Sequence, residues 1–368
     1  MNELLGDREL TKVTMHAVGI RHRRTRGLGA IALSLVLAAC GSSTSATPGA
    51  PAATIRENSS TPATPSSTAA ETSPEASLGP VPAASLDGRV QVLSVETIDE
   101  RVRDLTIQTP SLPEPVGVRL LLPAGFDSEP DRRWPVLYLL HGAGMDQFAY
   151  RAWTEGTDVA SLVATTDLLV VMPEGGVYGW YADWWNDGTG GPPMWETFHL
   201  TELRAILERD WRAGDKRVVA GLSMGGYGAM TYAARHPGLF EAAASFSGPL
   251  DILAEKDFIG PDVALWGDPD AQRDVWQAHN PIDMAESLRG TALFVSWGEG
   301  GQGPLDPDPV GDDGEAFRAL SNQAFVKHLE EMAIPATVDD YGPGTHTWPY
   351  FERELHRALP LLLQALGE

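Results

Sequence analysis

The sequence holds a single cysteine, Cys40, so no disulfide can form within the chain. It contains no H-E-x-x-H or C-x-x-C cluster and no G-x-x-x-x-G-K-[ST] loop, so neither a metal site, an organic cofactor nor a nucleotide phosphate cradle is implied. Positive charge is scarce. Against 50 Asp and Glu stand 27 Lys and Arg, a net charge of −23, which makes a poor nucleic-acid binder. There is no internal repeat. The apolar run at residues 28–39 is too short to cross a bilayer and stay there.

That run has the look of a targeting segment. Arg21, Arg23, Arg24 and Arg26 precede it, and it ends in Leu37-Ala38-Ala39-Cys40-Gly41. The ending resembles the lipobox of bacterial lipoproteins, in which the cysteine is lipidated and becomes the new N-terminus. Residues 1–40 are therefore expected to be a lipoprotein signal peptide, with a lipidated Cys40 as the contact with the membrane. The alternative is an ordinary cleaved signal and a secreted protein. Residues 41–88 are rich in Ser, Thr, Ala and Pro, with almost no large apolar side chain to offset ordering entropy. They read as a disordered tether. Residues 89–368 are the right length for one α/β domain.

The domain centres on Gly221-Leu222-Ser223-Met224-Gly225. An apolar strand at 217–220 runs into this G-x-S-x-G, and a small-residue helix at 227–234 runs out of it. Strand, tight turn and helix with serine at the apex is a nucleophile elbow. The glycines two before and two after the serine have a steric reason, because the turn packs against both neighbours.

Around the elbow, the pattern predicts strands at 90–95, 102–109 and 116–122, paired antiparallel at one sheet edge. Near-continuous apolar runs at 134–140 and 168–172 read as strands buried on both faces, as in a parallel sheet. Further strands are expected at 242–246, 291–297 and 336–341. Helices are expected at 153–164, 199–211, 315–332 and 351–366. The alternation implies a doubly wound α/β fold, a mostly parallel central sheet with helices on both faces, and the elbow within it is the arrangement of an α/β-hydrolase.

Four stretches carry candidate chemistry. His141-Gly142-Ala143-Gly144 follows the buried strand, where a small-residue loop brings backbone N–H groups to an oxyanion. The donors would be Ala143 and Met224. The Gly-rich stretch 176–191 holds Tyr178, Trp180, Tyr181, Trp184 and Trp185, which either line a cleft or fold back and bury themselves. The 298–314 loop carries Glu299, Asp306, Asp308, Asp312 and Asp313, in no EF-hand spacing, and reads as a solvated acidic loop. The triad acid belongs after strand 291–297, where Glu299 is the nearest carboxylate and Glu315 opens the next helix. Gly342-Pro343-Gly344-Thr345-His346 presents His346 on a rigid loop, last in the order Ser, acid, His. The helical histidines, His199 and His279 among them, read as satisfied or solvated.

Together with Pro173-Glu174-Gly175-Gly176, Trp195-Glu196-Thr197-Phe198 and Gly344-Thr345-His346-Thr347-Trp348-Pro349-Tyr350, these motifs make the stretch 130–355 resemble the esterase D-like superfamily. Within it, the similarity is to the mycobacterial mycolyltransferases. The resemblance implies Ser223, Glu315 and His346 as catalytic residues, Glu315 taking the place of the acid. His141, Gly142, Trp184, Trp185 and Trp348 are the candidate substrate contacts. One departure stands out: where those transferases carry an aspartate and an arginine toward trehalose, this chain has His141 and Gly144. The expected function is a serine esterase acting on acyl esters or glycolipids. The alternatives are acyl transfer onto a cell-envelope glycan and a non-catalytic adhesin.

Overall fold

The computed structural model describes residues 88–259, 263–308 and 311–367. The readings of the signal peptide, of Cys40 and of the linker, Gly88 apart, lie outside the described residues.

Among the described residues, nine strands form one sheet: β1 Gln91–Thr97, β2 Val102–Gln108, β3 Val116–Leu121, β4 Trp134–Leu140, β5 Leu169–Pro173, β6 Ala213–Leu222, β7 Ala242–Phe246, β8 Ala292–Trp297 and β9 Thr337–Asp340. Their spatial order is β1-β2-β3-β5-β4-β6-β7-β8-β9. The pairs β1–β2, β2–β3 and β3–β5 are antiparallel, as the first three strands suggested, and every later pair is parallel.

The apolar runs explain the layering. Along β4, Val136, Tyr138 and Leu140 enter one core cluster while Leu137 and Leu139 enter another. The first cluster lies under the helices α1 (Arg204–Asp210), α2 (Met224–Arg235) and α3 (Asp313–Glu331). The second lies under α4 (Trp348–Leu366), through Phe351, Leu355, Ala358 and Leu362. Each buried Leu or Phe contributes about 1.5–3 kcal/mol relative to exposure, so both faces of the sheet must be covered.

Two helices differ from expectation. The one expected at 153–164 is two short helices, Ala152–Gly156 and Val159–Leu162. Thr157 between them is extended, and the Trp348 indole lies so close to Gly156 that a Cβ there would come within 2.5 Å of it. The one expected from 199 begins at Trp195 and passes through a π-helical stretch, Phe198–Leu203, before α1. That wide turn holds His199 fully buried.

Strand order reverses around β4, whose chain neighbours β5 and β6 lie on opposite sides of it. The segments leaving the carboxyl ends of β4, β6, β7, β8 and β9 therefore emerge side by side, which is where open α/β sheets form their crevices.

Candidate active site

Ser223 sits at the tip of β6 with φ 53° and ψ −123°, a conformation that non-glycine residues rarely adopt. Its N–H donates to Phe246 O at 2.8 Å, and its carbonyl accepts from Tyr227 N–H at 3.1 Å, so both sides of the strained residue are tied. The side chain is 7% exposed. A Cβ on Gly221 would lie 2.3 Å from Gly225 O, and one on Gly225 would lie 2.4 Å from Leu140 O. Backbone on each side leaves nothing able to yield. Gly225→Ala is expected to destabilise the protein by about 3 kcal/mol, at the upper end of overpacking costs. An unchanged urea midpoint would refute that steric account.

The loop after β4 lies against the serine. A Cβ on Gly142 would meet Leu222 Cδ1 at 2.7 Å and Ser223 Cβ at 3.3 Å. Gly144 N–H donates to Val177 O at 2.8 Å, which pins the loop to the segment after β5. The half-buried Ala143 between them directs its N–H to no acceptor among the described residues. Met224 is the first residue of α2, so its N–H lies ahead of the helical ladder. The reading of His141 as a substrate contact is corrected. Its ring is 1% exposed, with Nδ1 against Gly142 O at 2.8 Å and Nε2 accepting from Gly175 N–H at 2.7 Å. Tyr181 OH donates to its carbonyl at 2.9 Å. His141 shapes the loop from inside.

Glu315 and His346 meet although 31 residues separate them. His346 Nδ1 lies 2.6 Å from Glu315 Oε2. Glu315 is fully buried, and its Oε1 accepts from Ser247 Oγ at 2.6 Å, Gly298 N–H at 2.7 Å and Tyr341 OH at 3.2 Å. Burial pushes the Glu315 carboxyl up, but the bond and charge of His346, with Ser247 and Gly298, hold it below the usual glutamate range. Beside this carboxylate, burial pushes the Tyr341 hydroxyl far up, so it stays a donor. Glu299, nearer in sequence to β8, is exposed. The His346 ring meets Phe351 edge-on, with centroids 5.0 Å apart. Its Nε2 is buried and has no hydrogen-bond partner, so no bond to Ser223 Oγ is formed in this structure. Such bonds often tighten only with substrate.

Ser247, Tyr341 and Asp312 were not among the expected residues. Ser247, at φ 52°, follows β7 as Ser223 follows β6, and Phe246-Ser247-Gly248-Pro249 was the available signal. Two carboxylates of the 298–314 loop are engaged, which corrects its reading as merely solvated. Asp306 accepts from Thr345 Oγ1 at 2.5 Å, Gly303 N–H at 2.8 Å and Tyr350 OH at 2.9 Å. Asp312 accepts from His346 N–H and Glu315 N–H, each at 2.9 Å.

The aromatic stretch divides. Trp180 and Tyr181 are buried, Trp180 packing on Tyr227 and Trp266. Trp184 and Trp185 are half-buried; Trp184 Nε1 donates to Gly179 O, and the Trp185 N–H to Leu265 O. Tyr178 is 61% exposed, and its OH lies 3.6 Å from where a Gly144 Cβ would be. The half-buried Trp348 stacks edge-on against Trp153 at 5.6 Å. His199, its Nε2 on Glu174 O and its Nδ1 on Tyr232 OH, is satisfied. For a metal, one trio among the described residues brings ligand atoms within 4.8 Å of one another: Asp158, Glu352 and His356, with His356 Nε2 already 2.8 Å from Asp158 Oδ1.

A mostly parallel sheet with the elbow serine at the tip of β6 and a histidine loop beyond β9 defines an α/β-hydrolase. Residues 109–362 match the model of the Esterase family, described as "Putative esterase", and the chain belongs to that family. It is 32% identical over 268 residues to the Esterase Rv1288 of Mycobacterium tuberculosis, covering 68% of this chain and 56% of that one. The chain thus spans about half the length of that relative. It is 28% identical over 261 residues to the diacylglycerol acyltransferase/mycolyltransferase Ag85B of Mycolicibacterium smegmatis, covering 63% of this chain and 77% of that one. Among solved structures, MPT51 (FbpC1) of Mycobacterium tuberculosis superposes with a TM-score of 0.57 at 25% identity, over 75% of this chain and 98% of that one. An S-formylglutathione hydrolase from Agrobacterium tumefaciens shares the fold at 18% identity, with a TM-score of 0.58 over 75% of this chain and all of that one.

Proposed function

We propose that the protein is an exported serine esterase that hydrolyses acyl esters through Ser223, His346 and Glu315. The observation that carries this is the imidazole: Nδ1 is held by a fully buried carboxylate, while Nε2 is buried and unpartnered. A buried ring nitrogen with no partner is costly unless another group completes it. In this reading, that group is the hydroxyl of Ser223 at the moment of attack.

Ser223 Oγ adds to the ester carbonyl carbon as His346 Nε2 takes its proton. The N–H groups of Ala143 and Met224 hold the oxyanion; losing one such donor typically costs ~10²–10³ in rate. The imidazolium returns the proton to the departing alkoxide, leaving an acyl-enzyme. Water repeats the sequence and releases the acid. Glu315 keeps the ring in one tautomer and stabilises its charged form. In this reading, lipidation of Cys40 holds the enzyme at the outer face of the membrane.

Similarity to the mycolyltransferases favours a second reading, in which a sugar hydroxyl replaces water and the acyl group passes to a glycan. The test of the first reading is turnover of p-nitrophenyl butyrate, with fluorophosphonate labelling, by the wild type and Ser223→Ala. Hydrolysis and labelling are expected in the wild type alone, and equal turnover by both proteins would refute the nucleophile. Adding trehalose or an arabinan then separates the readings, since transfer yields a new sugar ester at the expense of free acid.

A further inference from the structure

The loop before α3 contains a side chain that touches the backbone of both the acid and the base. Asp312 is the N-cap of α3, and its Oδ1 accepts the Glu315 N–H at 2.9 Å. Its Oδ2 accepts the His346 N–H, also at 2.9 Å. In sequence, Asp312-Asp313-Gly314-Glu315 has the spacing of a capping box, in which the glutamate side chain would reach back to the cap residue's own N–H. Here it does not. The Glu315 carboxylate is committed to His346, Ser247, Gly298 and Tyr341, and the Asp312 N–H donates instead to Gly300 O at 2.7 Å. Gly300 N–H in turn donates to Gly344 O at 3.0 Å, two residues before the histidine.

We propose that Asp312 is a positioning residue: one carboxylate fixes the main chain of the triad acid and of the triad base together, and so holds the imidazole in line with Glu315 and aimed at Ser223. The assignment rests on the triad read above. Capping a helix needs one acceptor, and serine or asparagine would serve. A second acceptor aimed at another loop is surplus to capping. The tether acts on a loop whose glycines offer no side chain to anchor it: Gly342 is at φ 70°, and Gly344 lies two residues before the imidazole. Burial pushes the Asp312 carboxyl up, but the His346 and Glu315 N–H groups and the nearby imidazole hold it below the usual aspartate range, so it is ionised at neutral pH. Bonds accepted by an ionised group are stronger than neutral ones, which suits a tether that must keep a 2.6 Å contact in register.

Asp312→Asn and Asp312→Ser both retain a cap for the Glu315 N–H and lose the second acceptor. For each variant, kcat and KM on p-nitrophenyl butyrate would be measured with the urea midpoint and the downfield proton resonance of the His346–Glu315 bond. The expected result is a loss of about tenfold in kcat at unchanged KM, from one charge-assisted bond, with a near wild-type midpoint. The downfield resonance should be broadened by exchange in both variants. Asp312→Ala, which loses the cap as well, should add a fall in the midpoint. If Asn and Ser keep wild-type kcat and the resonance while only Ala loses stability, Asp312 is a helix cap and the proposal is overturned. Ser223→Ala as active as wild type would instead remove the triad reading, so the two failures are distinguishable. The serine variant keeps the test open should the asparagine variant misfold.

Discussion

His346→Ala is expected to lower kcat for ester hydrolysis by roughly 10⁴–10⁶-fold, with a much smaller change in KM. The ring is the only group in the proposed site able both to take the Ser223 proton and to return it. Glu315→Gln should cost roughly 10³–10⁴-fold, less than the histidine but far more than a neutral isostere would at the surface. Its Oε1 accepts from three donors, and Oε2 faces the Nδ1 of His346. An amide can offer an oxygen to only one of those sets. With oxygen toward Ser247, Gly298 and Tyr341, its NH₂ faces Nδ1 and favours the wrong tautomer. With oxygen toward His346, the buried Gly298 N–H opposes an amide N–H, and the Ser247 and Tyr341 hydroxyls must turn round to accept. The double variant Ser223→Ala/His346→Ala should be no slower than the worse single one, because the residues act as a unit. Stopped assays with each purified variant measure this. A His346→Ala enzyme within tenfold of wild type would refute the proton-transfer role.

The second large effect is a loss of stability in mild acid. Burial holds His199 down to about 3 and His279 down to about 4, against an unfolded value near 6.5. Both are neutral in the folded and unfolded states above that value, and their contribution is then intact. Below it, the unfolded chain binds protons that the folded protein refuses. Their contribution therefore falls with pH from about 6.5 until the folded values are passed, against a partial offset from Glu354, which burial pushes up to about 7. At pH 5 each group is expected to cost about 2 kcal/mol, and both act on the same helix-bearing face of the sheet. Carboxylates held low, Glu315 and Asp312 among them, add their loss only at lower pH, as they protonate. Urea unfolding between pH 7.5 and 5 should show this slope, and His199→Gln should flatten it by about one proton. Identical profiles for the wild type and His199→Gln over that range would refute the assignment of His199 as neutral and buried.

Much of this was legible in the chain because local and global signals agree there. β4, β5 and β7 are buried on both faces, so their residues are apolar at every position but Ser245 and read as strands. The elbow announces itself because its glycines are forced by backbone contact. Elsewhere the deciding contact is remote. Gly156 is itself a poor helix former, and the Trp348 indole packed against it, almost two hundred residues on, leaves no room for a side chain there. β6 begins at Ala213, earlier than its apolar run, because Trp134 pairs with that residue across the sheet. Composition points to Glu299 as readily as to Glu315, and only the turn of α3 sends one inward and leaves the other in solvent. His141 shows the opposite case: it stands in the right place for a ligand contact, yet the tight loop uses both of its nitrogens internally.

Every candidate residue leaves the carboxyl end of a parallel strand, whereas β1 lies five strands from β6, about 24 Å away at ordinary strand spacing. β1 is largely exposed, pairs among the described residues with β2 alone and carries Leu93 and Val95 outward. That border is a natural place to graft an affinity handle or bond the enzyme to a solid support, since material added there would leave the entrance to the crevice clear.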